Sequence, residues 1–153
     1  MKIEHLLYIS LALAAGALMP LQSNLNAKVG STLGSPFLGT IINFMGGTLL
    51  TVFIILVLVR PQLPTKELLQ QLPPYYYLGG ILGVVFVTTS LFLVPRIGAL
   101  NVFASIIAGQ IVASLLFDHF GLMGVPVKPI TLQKIIGVTL LGTGLLLILK
   151  DNN

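Results

Sequence analysis

The chain has 153 residues, of which 56% are hydrophobic and only 8% are charged. A soluble domain carries about 25% charged residues, so this composition excludes a water-soluble globule and places the chain in a lipid bilayer. The net charge of +4 comes from Lys and Arg residues scattered singly along the sequence, which argues against a nucleic-acid-binding surface. Because the sequence contains no Cys, disulfide bonds, thiolate catalysis and Cys-based metal sites are excluded.

Five apolar segments are each long enough to cross a hydrocarbon core of about 30 Å. The predicted spans cover residues 5–27, 37–59, 75–94, 98–117 and 132–149. They must be helical, because open strands leave backbone groups unpaired in lipid and the alternating pattern of a barrel strand is absent. We therefore predict an all-α membrane protein with a single five-helix domain over residues 1–153.

Two segments need separate comment. The N-terminal apolar segment has the basic start of a signal peptide, but no small-x-small cleavage motif follows it, so we expect it to be retained as the first span. The polar connection at 61–74 predicts a short interfacial helix within residues 65–72. The three tyrosines that follow, at 75–77, are typical of an aromatic belt at headgroup level.

Basic residues give only a weak signal for orientation. An odd number of spans puts the two termini on opposite sides of the membrane. One face then carries Lys2, Arg60, Lys66, Lys128 and Lys134, and the other carries Lys28, Arg96 and Lys150. The positive-inside rule favours a cytoplasmic N-terminus, but a margin of five to three permits insertion in either orientation.

Amide side chains inside the spans are the candidate functional residues. An unpartnered amide in hydrocarbon costs several kcal/mol, so each one needs either an interhelical hydrogen bond or a hydrated cavity. For Gln110 we expect a partner amide such as Asn43 or Gln22, or a water-filled cavity. The predicted substrate-binding residues are Gln22, Asn26, Asn43, Asn101 and Gln110.

Proline and small residues predict how the helices bend and pack. Pro20 removes one backbone donor and crowds the carbonyl of Gly16, so we expect a helix kink there. Small residues let membrane helices approach closely. The predicted packing or dimer-interface residues are Gly39, Gly47, Ser105, Gly109, Gly137 and Gly144.

Ionisable residues avoid the middle of every predicted span. His5, Asp118 and His119 lie at span ends, where snorkelling to the interface accounts for them. A mid-membrane carboxylate that could exchange a proton for a cation is therefore not expected. The sequence shows no pairing of nucleophile and base, no metal-ligand cluster and no phosphate-binding loop, so we expect no enzymatic activity, no metal and no cofactor.

Three segments resemble the YdcZ family of bacterial inner-membrane proteins, the five-helix members of the drug/metabolite transporter superfamily. They are LQSNLNAKVGSTLGSPFLGTIINFMGG (21–47), YYYLGGILGVVFVTTSLFLVPRIGA (75–99) and SIIAGQIVASLLFDHFGLMG (105–124). The most specific motifs are Gln22 with Asn26, the turn from Val94 to Ala99, and the run from Gly109 to Gly121. The resemblance implies half of an inverted-repeat bundle, which pairs with a second copy in antiparallel orientation.

The leading functional hypothesis is a secondary-transporter half that moves a small organic metabolite or drug-like solute across the bacterial inner membrane. Its expected partners are the solute, membrane lipid and a second copy of the chain, without nucleic acid. Two alternatives stay open: a membrane scaffold or accessory subunit in which the amides are structural, and a small channel.

Overall fold

Helices form almost all of the structure, a computed structural model that describes residues 3–61 and 63–150. Helix α1 covers Ile3–Thr32, and α2 covers Pro36–Ile54 and continues as a π-helical turn, Ile55–Val59. A short α3, Lys66–Gln70, and a 3₁₀ turn, Pro74–Tyr77, lead to α4, Leu78–Ile97. Helix α5 covers Ala99–Phe120, a 3₁₀ turn covers Leu122–Gly124, and α6 covers Leu132–Lys150.

Five of the described helices are long and apolar enough to cross a membrane. The predicted all-α fold with five membrane-spanning helices is therefore confirmed. Several helices are a few residues longer than the predicted spans, chiefly α1, which continues past Lys28 to Thr32. The short helix predicted within residues 65–72 is present as α3.

Local chemistry explains where the helices begin and end. Ser35 is extended and Pro36 occupies the first turn of α2, where its missing N–H costs no intrahelical bond. Gly121 ends α5 in the left-handed conformation that favours glycine, with φ 63°. Thr65 begins α3 by accepting a hydrogen bond from the N–H of Leu68 at 3.4 Å. In the same turn, the backbone N–H of Glu67 and the Thr65 hydroxyl lower the pKa of the Glu67 carboxyl.

The chain divides into two compact units, Met1–Arg96 and Ile97–Asn153. In the first, α1 packs extensively against α2. A Cβ atom added to Gly39 would lie 2.8 Å from the carbonyl oxygen of Asn26 and 2.7 Å from Cδ2 of Leu91. Only glycine permits this approach, so Gly39 brings α2 close to α1 while Leu91 of α4 covers the same point.

In the second unit, α5 and α6 form a helical hairpin. The N–H of Lys128 donates to the carbonyl oxygen of Asp118 at 2.7 Å, and the N–H of Ile130 donates to Nδ1 of His119 at 3.4 Å. These bonds hold the connecting loop against the end of α5. The C-terminal end of α5 and the N-terminal end of α6 therefore lie at the same end of the hairpin.

Little of the apolar surface is buried within the chain. The buried hydrophobic residues of the described part are Ala27, Leu91, Val94, Val102 and Phe103. Most of the large Leu, Ile and Phe side chains are instead exposed along the spans. A water-soluble protein does not tolerate so much exposed apolar surface, whereas lipid or neighbouring helices in a bilayer cover it.

Candidate functional site

Three amides meet where α1 faces α2, and we call them the amide cluster: Gln22, Asn26 and Asn43. Nε2 of Gln22 donates to Oδ1 of Asn43 at 2.8 Å, and Nδ2 of Asn26 donates to the same oxygen at 2.9 Å. Asn26 and Asn43 are partly buried, whereas Gln22 is exposed. One amide oxygen of α2 therefore accepts both amide donors of α1.

Helical spacing and one glycine position the amide cluster. Gln22 and Asn26 are four residues apart on α1, so they lie on one face of that helix. On α2, Asn43 lies one turn after Gly39, the residue at which α2 contacts the backbone of α1 closely. The close contact at Gly39 thus brings Asn43 within reach of both donors.

The amide cluster keeps unused hydrogen-bonding capacity. An Asn or Gln side chain offers two N–H donors and two acceptor positions. Within the described residues, Nδ2 of Asn43, Oε1 of Gln22 and Oδ1 of Asn26 take part in no hydrogen bond. The cluster can therefore both donate to and accept from an additional molecule, without offering it a charge.

A cavity of about 560 Å³ adjoins the amide cluster, and we call it the amide groove. Its polar end is formed by Gln22 and Asn43. The other lining residues come from α2: Phe44, Gly46, Gly47, Thr48, Leu50, Thr51 and Val52. None of the lining residues is charged. The combination of apolar walls with a few convergent polar groups is typical of a small-molecule site.

The two other amides predicted to bind substrate lie in the second unit. Asn101 is 8% exposed, and its Nδ2 donates to the carbonyl oxygen of Ile97 at 2.9 Å. Gln110 is exposed on α5, and its side chain forms no hydrogen bond within residues 3–61 and 63–150. The structure therefore brings together three of the five predicted amides in one cluster.

Gln110 lines a second cavity, of about 540 Å³, between α5 and α6, which we call the α5–α6 groove. Gln110, Ser114 and Asp118 follow each other at intervals of four residues and form a polar stripe along α5. Lys134 faces them from α6. The remaining lining residues are apolar or glycine: Ile111, Leu115, Gly137, Val138 and Leu141.

Of the residues predicted to pack helices, Gly39 makes a close contact. A Cβ atom at any of the other four glycines would meet no atom outside its own helix within 4 Å: Gly47, Gly109, Gly137 and Gly144. Gly144 lines an apolar cavity of about 370 Å³ between α5 and α6, and Ser105 is exposed. A role of these residues in a dimer interface stays a prediction.

Helix α1 continues through Pro20, and the carbonyl oxygen of that residue accepts a hydrogen bond from Nδ2 of Asn24 at 2.9 Å. The amide of Asn24 is thus used within its own helix, in contrast to the neighbouring Gln22 and Asn26. The kink expected at Pro20 stays a prediction.

One polar contact and one polar stripe were not among the predicted site residues. The hydroxyl oxygens of Thr40 on α2 and Thr88 on α4 lie 2.9 Å apart, and Thr40 is 3% exposed. Nothing in the sequence identifies this pair, because a Thr hydroxyl can equally bond within its own helix. The stripe of Ser114 and Asp118 beside Gln110 does carry a signal, namely the interval of four residues.

The fold defines a multi-pass α-helical membrane protein in which polar amides line a groove between the spans. A comparison with protein-family models identifies the family: the model described as "Putative inner membrane exporter, YdcZ" matches residues 7–147. The chain belongs to this family and is a multi-pass protein of the bacterial inner membrane. The comparisons with curated proteins and with solved structures gave no match.

Proposed function

We propose that the chain is one half of a secondary transporter that exports a small, uncharged organic solute, and that two copies form an antiparallel dimer. Membership of a family described as inner-membrane exporters supports the transport role. The amide groove supports the solute class. The solute binds through hydrogen bonds to the amide cluster and through apolar contacts with α2.

One observation carries this proposal: Oδ1 of Asn43 accepts two amide donors at the end of the amide groove. That arrangement holds three side chains together and leaves each of them a donor or an acceptor that is unused within the described residues. A polar group on the solute binds to these remaining donors and acceptors. Recognition by hydrogen bonds discriminates between solutes, because a solute that lacks the matching group leaves the amides unpaired.

The charge of the site favours an uncharged solute. No charged residue lines the amide groove, so a solute with a net charge loses its hydration there without an ion pair in return. The groove also lacks a carboxylate that could bind a proton in alternation with the solute. Transport therefore proceeds as exchange or facilitated movement of the solute itself.

An antiparallel pair fits the odd number of spans and the weak charge bias. Two oppositely inserted copies generate the inverted symmetry that alternating access uses in other transporters. The margin of five basic residues to three between the two faces permits both insertions. Gln110 and Asn101 contribute to the solute pathway in this proposal, since their amides lie within the second unit's spans.

Flux into proteoliposomes tests the transport role. Each uncharged amide probe is paired with the carboxylate of the same carbon skeleton, which differs mainly in charge. We expect saturable uptake of an amide and at least tenfold slower uptake of its carboxylate, roughly the effect of 1.4 kcal/mol. Absence of uptake for every probe would favour a scaffold, and uptake that does not saturate would favour a channel.

Labelling of a single cysteine tests the orientation, because the native chain contains none. Glu67→Cys places a thiol on α3, in the exposed connection between the second and third spans. An impermeant thiol reagent should label about half of the molecules from each side of the membrane. Labelling from one side alone contradicts the antiparallel homodimer while leaving the transport assay unaffected.

A further inference from the structure

The outer end of the α5–α6 groove combines two opposite charges that do not pair with each other. Asp118 lies two residues before the end of α5, and Lys134 is the third residue of α6. Both side chains line the groove and both residues are partly buried. No ion pair joins them, although they lie at the same end of the hairpin.

Lys134 is held by the loop rather than by Asp118. Its Nζ donates to the carbonyl oxygen of Pro129 at 3.1 Å and to that of Lys128 at 3.4 Å. An ammonium group has three donors, so one N–H stays available. The loop therefore fixes the position of a cation at the groove and leaves it able to bind an anion.

On the opposite side of the groove, the Asp118 carboxylate has unused acceptors and the Ser114 hydroxyl has an unused donor. The Asp118 carboxylate forms no hydrogen bond or ion pair within the described residues, and neither does the Ser114 hydroxyl. Other hydroxyls in these helices behave differently: those of Thr139 and Thr143 donate to the carbonyl oxygen four residues earlier at 2.9 Å. The Ser114 hydroxyl is therefore available to a partner outside its own helix.

The depth of these groups matches the polar edge of a bilayer. Asp118 and Lys134 lie within about one turn, or about 5 Å, of the ends of their spans. Ser114 lies one turn deeper on α5. Below the charges the groove is lined mainly by the apolar side chains of Ile111, Leu115 and Val138. From the end of the spans inward, the groove offers a cation and an anion, then a hydroxyl, and then apolar walls.

We propose that the outer end of the α5–α6 groove binds a phospholipid with a phosphoethanolamine headgroup. Lys134 donates to the phosphate, the Asp118 carboxylate accepts from the lipid ammonium, and the Ser114 hydroxyl donates to an ester carbonyl. One acyl chain lies along Leu115, Val138 and the neighbouring apolar side chains. Gln110, one turn deeper, belongs to the solute pathway proposed above and takes no part in this contact.

Charge complementarity and hydrogen bonding together select this occupant among membrane lipids. A phosphatidylglycerol headgroup carries the phosphate but no cation, so Asp118 repels it. A diacylglycerol lacks both charges, so it offers an oppositely charged group neither to Asp118 nor to Lys134. Only a zwitterionic headgroup satisfies both charged residues at the same time, and an ammonium offers hydrogen-bond donors that a carboxylate binds well.

The absence of Trp from the chain permits a direct test. Leu141→Trp places a fluorescent reporter in the groove. The variant is reconstituted in phosphatidylcholine that contains a small fraction of one brominated lipid: phosphatidylethanolamine, phosphatidylglycerol or diacylglycerol. Quenching should show that phosphatidylethanolamine is enriched about threefold over each of the others, the size expected for a solvent-accessible ion pair.

Two substitutions in the Leu141→Trp background assign the headgroup contacts. Asp118→Asn should reduce the enrichment of phosphatidylethanolamine to that of phosphatidylglycerol. Lys134→Gln should remove its advantage over diacylglycerol, and Lys134→Arg should restore it. Because the Asp118 carboxylate has no internal partner in the described chain, Asp118→Asn should leave thermal unfolding unchanged.

Matched controls separate the groove from general lipid contact. Leu146→Trp places the reporter on α6 outside the α5–α6 groove, and Glu67→Gln removes a carboxylate on α3. The reporter at Leu146 should show no headgroup preference, and Glu67→Gln should leave the preference at Leu141 unchanged. Equal quenching by the three lipids, or a preference that survives Asp118→Asn, would overturn the proposal.

Discussion

The carbonyl oxygen of Asn26 lies 2.8 Å from the place that a Cβ atom on Gly39 would occupy, and the side chain of Asn26 also donates to Asn43 one turn further along α2. The backbone contact at Gly39 and the hydrogen bond at Asn43 thus lie on adjacent turns of α2, and both join α2 to α1. The tight packing of α1 on α2 and the geometry of the amide cluster are therefore coupled.

Gly39→Ala should separate α1 from α2. The added methyl group would overlap both the Asn26 carbonyl oxygen and Leu91. The helix backbone must move to relieve the overlap with the carbonyl oxygen. We expect a loss of about 1–3 kcal/mol in the free energy of unfolding, measured by denaturation in mixed micelles. Gly16→Ala in α1 is the control, because nothing lies within 4 Å of its added Cβ. Equal stability of the two variants would contradict the close contact.

Asn43→Ala should disrupt the amide cluster and abolish saturable transport. The substitution leaves the donors of Gln22 and Asn26 without their acceptor. Interhelical hydrogen bonds in membranes contribute about 0.6 kcal/mol each, so the stability loss should be only about 1 kcal/mol. The control is Asn24→Ala, since the Asn24 amide bonds only to Pro20 within α1. Wild-type uptake by Asn43→Ala would remove the cluster from the transport site.

Gln110→Ala should depress transport without changing stability or dimer assembly. The Gln110 side chain has no hydrogen bond within the described chain, so its removal costs no internal contact. Transport rate and oligomeric state are measured in the same preparation. Gln133→Ala removes an exposed Gln near the start of α6 and should leave both unchanged. Unaltered transport by Gln110→Ala would show that the solute does not use this amide.

Thr40 and Thr88 should show coupled contributions to stability. Their hydroxyl oxygens lie 2.9 Å apart and join α2 to α4. A double-mutant cycle with Thr→Val at both positions should give a coupling energy of about 0.6 kcal/mol. The same cycle between Thr51 and Thr88 should give none, because no hydrogen bond joins these two residues; the Thr51 hydroxyl bonds to Gly47. Additive effects of the first pair would show that the contact contributes nothing.

The number of spans could be predicted by counting the apolar segments. Their helical type could be predicted because each span must form its own backbone hydrogen bonds in lipid. Helix ends were less predictable. The sequence predicts a first span that stops at residue 27, before Lys28, but a Lys outside the hydrocarbon continues a helix readily, and α1 ends only at Thr32. Pro95 was likewise expected to follow the third span, yet α4 includes it in its last turn and ends at Ile97.

The hydrogen bonds between particular amides could not be predicted from the sequence. Helical spacing places Gln22 and Asn26 on one face, but it does not say which neighbouring helix that face contacts. The sequence suggested Asn43 as a partner of Gln110, whereas in the structure Asn43 accepts from Gln22 and Asn26, close to the contact at Gly39. The groove at Gln110 depends in the same way on the packing of α5 against α6, which no pattern within a single helix specifies.

Arg60 ends the π-helical turn in a left-handed conformation, with φ 45°, and its N–H closes the turn on Ile55 at 2.7 Å. A side chain in this region costs about 1–2 kcal/mol that glycine would avoid. Replacement by glycine would therefore ease the local fold and at the same time reduce the basic residues on that face from five to four, against three on the other. The residue thus retains a cation on that face at the cost of conformational strain.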